Sequence, residues 1–191
     1  MTKSLLDDLG IKKPSRPESS TPLALTQIIV VDSREKRPMP FPAHIPFWAT
    51  PKRRVTIKLV QEVRTLKTAD YILGGAPSQV GIERKADLDE LHQNLCTASG
   101  RKRFLSCLDR LSSEFAQPVL FLEGTPAHLM RSTYKDVDPA RVRDQLMSAC
   151  AHYKVSLLMY PTATIPQRRV AAEWLASLLI AGGLHARLDP V

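Results

Sequence analysis

Four apolar residues in a row, Ile28-Ile29-Val30-Val31, run straight into Asp32-Ser33-Arg34-Glu35. A strand with no polar face must be covered on both sides, so it belongs in the middle of a layered α/β sheet. Charges gathered at its end make a poor core and suit the rim of a site. Pro118-Val119-Leu120-Phe121-Leu122-Glu123 reads as a second short buried strand.

A different signal stands at Ile82-Glu83-Arg84-Lys85, thirteen residues after the isolated acid Asp70. In a strand, residues two apart share a face, roughly 7 Å apart along the chain. Glu83 and Lys85 can therefore meet over one site, with Arg84 turned away. A carboxylate there can hold a divalent metal, and an ammonium can orient water or steady charge on a phosphate. Taken alone, Glu-x-Lys is equally well explained by a solvated strand face. Further on, Gly100-Arg101-Lys102-Arg103-Phe104 puts three cations within four residues.

At 191 residues the chain fits one domain with a real core plus a tail. Its formal charge of +8 favours a polyanionic partner such as nucleic acid. Cys96, Cys107 and Cys150 lack a Cys-x-x-Cys spacing and read as reduced thiols of a cytosolic protein. The five histidines are scattered, without a zinc spacing. No apolar run approaches the roughly 20 residues a membrane span needs. A cytoplasmic location is the expectation.

Residues 1–24 read as a disordered tail and linker, rich in Ser, Pro and charge. Ser4 to Gly10 within it could form a helical turn that docks a protein partner. The folded domain is expected over 25–184, with a short C-terminal tail over 185–191. Strands are expected at about Gln27–Val31, Val55–Glu62, Tyr71–Leu73 and Gln79–Lys85, the last two as a hairpin. Lys36 to Pro51 carries five prolines, which argues against regular structure. Its Phe41, Phe47 and Trp48 either stack on unpaired bases or pin the loop to the domain. Helices are expected at about Leu88–Thr97 and Lys102–Phe115. Strand Val155–Tyr160 lies between two more, one started by Asp138-Pro139 and one over Pro166–Ile180 stopped by Gly182-Gly183.

The motifs resemble the nuclease domain of the XPF/MUS-type structure-specific endonucleases, especially the short phage and prophage versions. The matching stretches are Val-Val-Asp32-Ser-Arg34-Glu35, Leu-Lys-Thr-Ala-Asp70-Tyr71, Ile-Glu83-Arg84-Lys85-Ala-Asp-Leu-Asp89-Glu-Leu91 and Gly100-Arg101-Lys-Arg103-Phe104. A helix-strand-helix tail from about Arg131 to Ile180 matches too. Ala69 departs from the pattern, since the family usually has glycine there. No Gly-x-Gly hairpin pair follows the nuclease region. The tandem helix-hairpin-helix module of some relatives is therefore not recognisable, and their dimerisation and substrate choice do not carry over. The resemblance implies a restriction-endonuclease-like fold, a mixed β-sheet flanked by helices.

It also implies phosphodiester hydrolysis with Mg²⁺, for which Mn²⁺ would substitute, in phage recombination or repair. Hard divalent cations prefer oxygen ligands and meet the charge that gathers on the phosphate. Asp70 and Glu83 are the expected ligands, with the carbonyl of Arg84, and Lys85 would orient the water or stabilise charge. Asp32 and Glu35 would bind a second metal or hold the first metal's waters; an ion pair with Arg34 or Lys36 is the alternative. Asp89 would orient Lys85 or Arg84, or simply serve the helix dipole. Arg34, Arg84, Arg101, Lys102 and Arg103 are the expected DNA-binding cations, because a guanidinium holds two phosphate oxygens at once. The expected activity is an endonuclease acting on branched or flap DNA at single/double-strand junctions. A catalytically silent DNA-binding subunit, or a nuclease without branch preference, is the rival. The apolar width of the last helix, with Val170, Trp174, Leu178, Leu175 and Leu179, suggests a homodimer.

Overall fold

A computed structural model describes residues 25–50, 53–86, 88–131 and 137–188. The expected N-terminal tail, and Lys52 in the basic stretch before Val55, lie outside the described residues. Seven strands form one sheet: β1 (Leu25–Asp32), β2 (His44–Thr50), β3 (Arg53–Arg64), β4 (Tyr71–Leu73), β5 (Val80–Lys85), β6 (Gln117–Glu123) and β7 (Ser156–Tyr160). The helices are α1 (Leu88–Cys96), α2 (Ala98–Glu114), α3 (Pro126–Leu129), α4 (Pro139–His152) and α5 (Ile165–Leu188). Strand order is β2-β3-β1-β4-β5-β6-β7. The β1–β3, β5–β6 and β6–β7 pairs are parallel, and β2–β3, β1–β4 and β4–β5 are antiparallel. The expected mixed sheet flanked by helices is what the chain forms.

The two faces carry separate cores, and the strand period of two assigns residues to them. Ile29, Val31, Ile57, Tyr71 and Phe121 pack against Leu175 and Leu179 of α5. Val30, Ile72, Leu120 and Leu122 pack against Leu91 of α1, Leu108 and Leu111 of α2 and Leu146 of α4. Each fully buried Leu contributes about 1.5–3 kcal/mol by leaving water.

Two expectations are corrected. Lys36–Pro51 is not wholly irregular, because β2 forms around Pro46, paired opposite Thr56. As an edge strand, β2 needs only one hydrogen-bonding side, which is where a sheet tolerates proline. Nor do Gly182 and Gly183 stop the last helix, which continues to Leu188. They serve close approach instead. A Cβ on Gly182 would meet Val80 Cγ2 at 2.1 Å, and one on Gly183 would meet Leu73 Cδ2 at 2.4 Å. The predicted tail beyond residue 184 is therefore helical as far as Leu188.

Thr97 separates α1 from α2 as an N-cap, accepting from Gly100 N at 3.0 Å, and Asp138 caps α4. The short α3, capped by Thr125, has no counterpart in the sequence expectation. No helix of the described residues is long and apolar enough to cross a membrane.

Candidate active site

The sheet gathers its charges at one end. β1 finishes at Asp32, β5 at Glu83-Arg84-Lys85 and β6 at Glu123, while Asp70 immediately precedes the antiparallel β4. A cleft of about 590 Å³ opens there, lined among others by Asp32, Glu35, Asp70, Glu83, Lys85 and Glu90. Ligand sites at the carboxyl ends of parallel strands are a general property of α/β sheets.

Asp70 is fixed entirely by backbone. Its N–H donates to Ile82 O at 2.8 Å, its carbonyl accepts from Asp32 N at 2.9 Å, and its Oδ2 accepts from Arg84 N at 2.7 Å. Ala69 before it has φ 71°, in the left-handed region that glycine adopts without cost. The turn into β4 demands this conformation and alanine meets it under strain. That is the physical reason a glycine suits the position.

Glu83 and Lys85 meet as the strand period requires. Lys85 Nζ donates to Glu83 Oε1 at 2.9 Å and lies 3.3 Å from Glu90 Oε1. Burial works against the Lys85 ammonium, but Glu83 and Glu90 outweigh it and hold its pKa above the usual lysine range. Burial, then the Glu83 charge, push Asp70 up to about 7. Two carboxylates converge in low dielectric, and the one ammonium beside them is shared between Glu83 and Glu90, which leaves the pair short of positive charge. Cys107 of α2 borders them, and burial followed by Glu83 pushes its thiol up to about 12. The Thr68 hydroxyl, buried on the cleft wall, has no hydrogen-bond partner among the described residues.

The remaining predicted residues divide. Asp32 is 2% exposed and its oxygens are engaged. Oδ2 accepts from Arg34 Nε at 2.8 Å and from Arg34 NH2 at 2.6 Å, and Oδ1 accepts from Arg34 N at 3.2 Å. Burial raises its pKa, and the Arg34 hydrogen bonds overcome that and lower it below the usual range. The described residues contain no group of three or more His, Cys, Asp or Glu placed to hold one ion. Asp32 is thus Arg34's partner, and the converging pair is Asp70 with Glu83. Arg34 itself stays largely exposed at the rim, donating also to Leu66 O at 2.6 Å.

Arg84 is not on a DNA-facing surface. Its side chain is 3% exposed, with NH1 2.9 Å from Glu35 Oε1 and the rest of the fork against Glu123. Glu123 also accepts from Thr162 and, at 3.1 Å, from Arg168 NH1. Arg168 NH2 in turn donates to the carbonyls of Arg37 and Pro38 at 3.2 Å. Glu35 therefore belongs to a buried ion network that ties β5, β6, α5 and the loop after β1 together. Burying a guanidinium is costly, and this pairing is what makes it tolerable.

Asp89 is exposed on the first turn of α1, and its neighbour Glu90 makes the contact to Lys85. A helix advances 100° per residue, so adjacent positions face different ways. Arg101, Lys102 and Arg103 are exposed on α2 outside the cleft lining, and the α2 cation that reaches the cleft is Arg110. Sequence reasoning missed Glu123, although the buried strand ending in an acid repeats the pattern of β1. For Arg168, Glu90 and Thr68 no local pattern existed.

No curated protein matches the chain. Among solved structures it is similar to XPF from Aeropyrum pernix, with a TM-score of 0.54, 16% identity, and 79% of this chain covered. It is also similar to XPF from Aeropyrum pernix in complex with DNA, with a TM-score of 0.51, 17% identity, and 81% covered. The chain spans 60% and 66% of the length of those two chains. The ERCC4 domain family matches residues 31–178, which include β1 from Val31 onward, the Asp70–Glu83–Lys85 constellation and most of α5. The chain belongs to the ERCC4 domain family.

Proposed function

We propose that this chain is a divalent-metal-dependent DNA endonuclease that cuts at branches or flaps. The convergence of Asp70 and Glu83 beside Lys85 carries the reading. An Asp whose pKa is pushed up by burial and then by a facing carboxylate is a site that binds a cation strongly, because the cation relieves both. Asp70 and Glu83 would hold Mg²⁺ or Mn²⁺, with the Arg84 carbonyl assisting. When bound there, such an ion would supply positive charge against the phosphodiester oxygens and lower the pKa of a water.

The chain's own groups do the rest. Lys85 stays protonated at neutral pH, so its part is to orient the water and offset charge on the phosphate, not to accept a proton. Thr68 offers a hydroxyl to the cleft. Arg34, Lys36, Lys67 and Arg110 place positive charge around a cleft whose floor is acidic. An incoming backbone therefore meets cations at the rim before the carboxylates. The DNA in the Aeropyrum XPF complex is consistent with a nucleic-acid substrate.

Cleavage of labelled flap, fork, Holliday-junction, duplex and single-stranded DNA, with Mg²⁺ and with chelator, tests this. Asp70→Asn and Glu83→Gln should bind DNA and cut nothing, and Lys85→Ala should lose about 10²-fold or more. Cleavage by Glu83→Gln at the wild-type rate would remove the assignment. A wild-type chain that binds branched DNA and never cuts it would favour a silent, positioning subunit.

A further inference from the structure

The sheet is unevenly covered. The core under α1, α2 and α4 contains no residue of β2 or β3. On that same face the outward side chains of β2, β3 and the first half of β1 stand in solvent. Trp48 is 62% exposed, Val60 39% and Ile28 37%, and His44, Arg54 and Lys58 are exposed beside them. The register orders them: Trp48 lies opposite Arg54, His44 opposite Lys58, and Val60 opposite Ile28. The aromatic neighbours behave differently. Phe41 is buried edge-on against Tyr71, and Phe47 packs on the α5 side. Trp48 alone of the three points away from the protein.

The face is cationic in effect. Its β3 carboxylate, Glu62, is paired with Arg64 by two hydrogen bonds of 2.5 Å. The parity of the strands matters more. Ile28 and Asp32 are four apart on β1, and Lys58 and Arg64 six apart on β3, so each pair shares a face. Arg64 is the register partner of Asp32 at the cleft. From Arg54 to Arg64 the exposed face thus runs about 33 Å along β3 and ends where the cleft begins.

We propose that this sheet face binds single-stranded DNA, Trp48 stacking on a base and Arg54, Lys58 and His44 contacting phosphates. The bound strand would lead along β3 to the Asp32–Arg34 rim. An indole on an exposed sheet reaches only an unpaired base, because the bases of a duplex already stack on one another. The cations flanking it account for the backbone. The direction of travel toward the cleft rests on the nuclease reading; the binding itself does not.

The test uses the full chain in chelator, where nothing is cut, with an oligothymidylate of about 20 nucleotides, long enough to span a single-strand site of roughly 4–16 nucleotides, and a duplex of equal length as the control. In a Trp174→Phe protein Trp48 is the remaining tryptophan, and its fluorescence should be quenched by the oligothymidylate. Trp48→Ala should weaken oligothymidylate binding by about 5- to 160-fold, as for loss of one stacked base, with duplex binding nearly unchanged. Arg54→Ala with Lys58→Ala should flatten the salt dependence by about 1.4, or 0.7 per phosphate contact. All three side chains are exposed, and equal melting temperatures would certify the folds. Unquenched fluorescence, unaltered binding by Trp48→Ala, or equal losses for duplex and single strand would each overturn the proposal. A protein that binds through Trp48 and cuts no substrate would sink the nuclease reading and leave this one standing.

Discussion

The backbone N–H of Arg84 donates to Asp70 Oδ2 at 2.7 Å while the side chain of the same residue is locked between Glu35 and Glu123. One residue therefore joins the two faces at the end of the sheet. Its main chain positions a carboxylate on the α1–α2 side, and its guanidinium anchors the α5 side. Glu123→Ala should leave Arg84 and Arg168 buried without their shared anion and cost about 3–5 kcal/mol. Denaturant unfolding measures this. A loss below about 1 kcal/mol, the value of an exposed pair, would mean that water enters the network freely.

Asp70 makes stability depend on pH in an unusual direction. Its pKa rises from 3.8 to about 7 on folding, so the folded state holds the proton more tightly than the unfolded chain. Its contribution is fully present below 3.8, falls as pH rises toward 7, and levels off above. In chelator, the melting temperature of wild type relative to Asp70→Asn should therefore drop between about pH 5 and about pH 8. Added Mg²⁺ should stabilise wild type most at the upper end. A difference that stays flat across this range would contradict the burial of the pair.

At position 69 the backbone decides. Ala69→Gly relieves left-handed strain but loses a buried methyl and loosens the unfolded chain. These terms are each about 1 kcal/mol, so the net change should stay within about 1 kcal/mol. Ala69→Val adds a β-branched side chain at φ 71° and should cost about 2–3 kcal/mol. Equal stability of the two variants would show that the turn relaxes into another conformation.

The outer stripe of α5 bears on assembly. Val170 and Trp174 are exposed, at 37% and 60%, and Trp174 stands 6.3 Å from Tyr160 on the edge strand β7. We propose a homodimer through this stripe. Trp174→Glu should shift a sedimentation profile from dimer to monomer at micromolar protein while leaving the melting curve nearly intact. A wild-type chain that sediments as a monomer would dismiss the dimer.

Much of this was legible because it rests on local periodicity. The run Ile28–Val31 demanded two covered faces; Ile29, Val30 and Val31 received them while Ile28 stays 37% exposed, and Glu83 and Lys85 meet because residues two apart share a strand face. The failures have a common cause. Gly182 and Gly183 look like a helix stop until the distance to Val80 and Leu73 is known. The fate of Arg84 was set by Glu123 and by Arg168 of α5, elements far along the chain, and sequence spacing does not show which charges a fold will bury. Asp89 and Glu90 differ by one helical step, finer than a helix boundary can be read. Pro46 stands in a strand because that strand is an edge, a property of the whole sheet.

The alternation along β3 sets limits on length as well as on composition. Val55, Ile57 and Leu59 point into the α5 core while Arg54, Lys58 and Val60 point out, and Arg64 must arrive opposite Asp32. Inserting one residue anywhere between Lys58 and Arg64 would invert that assignment on one side of the insertion, turning leucine to water and lysine to the core. Insertions of two would keep the faces but slide Arg64 past Asp32. The residue count of β3 therefore acts as a ruler, and added length is tolerated only in the loops that flank it.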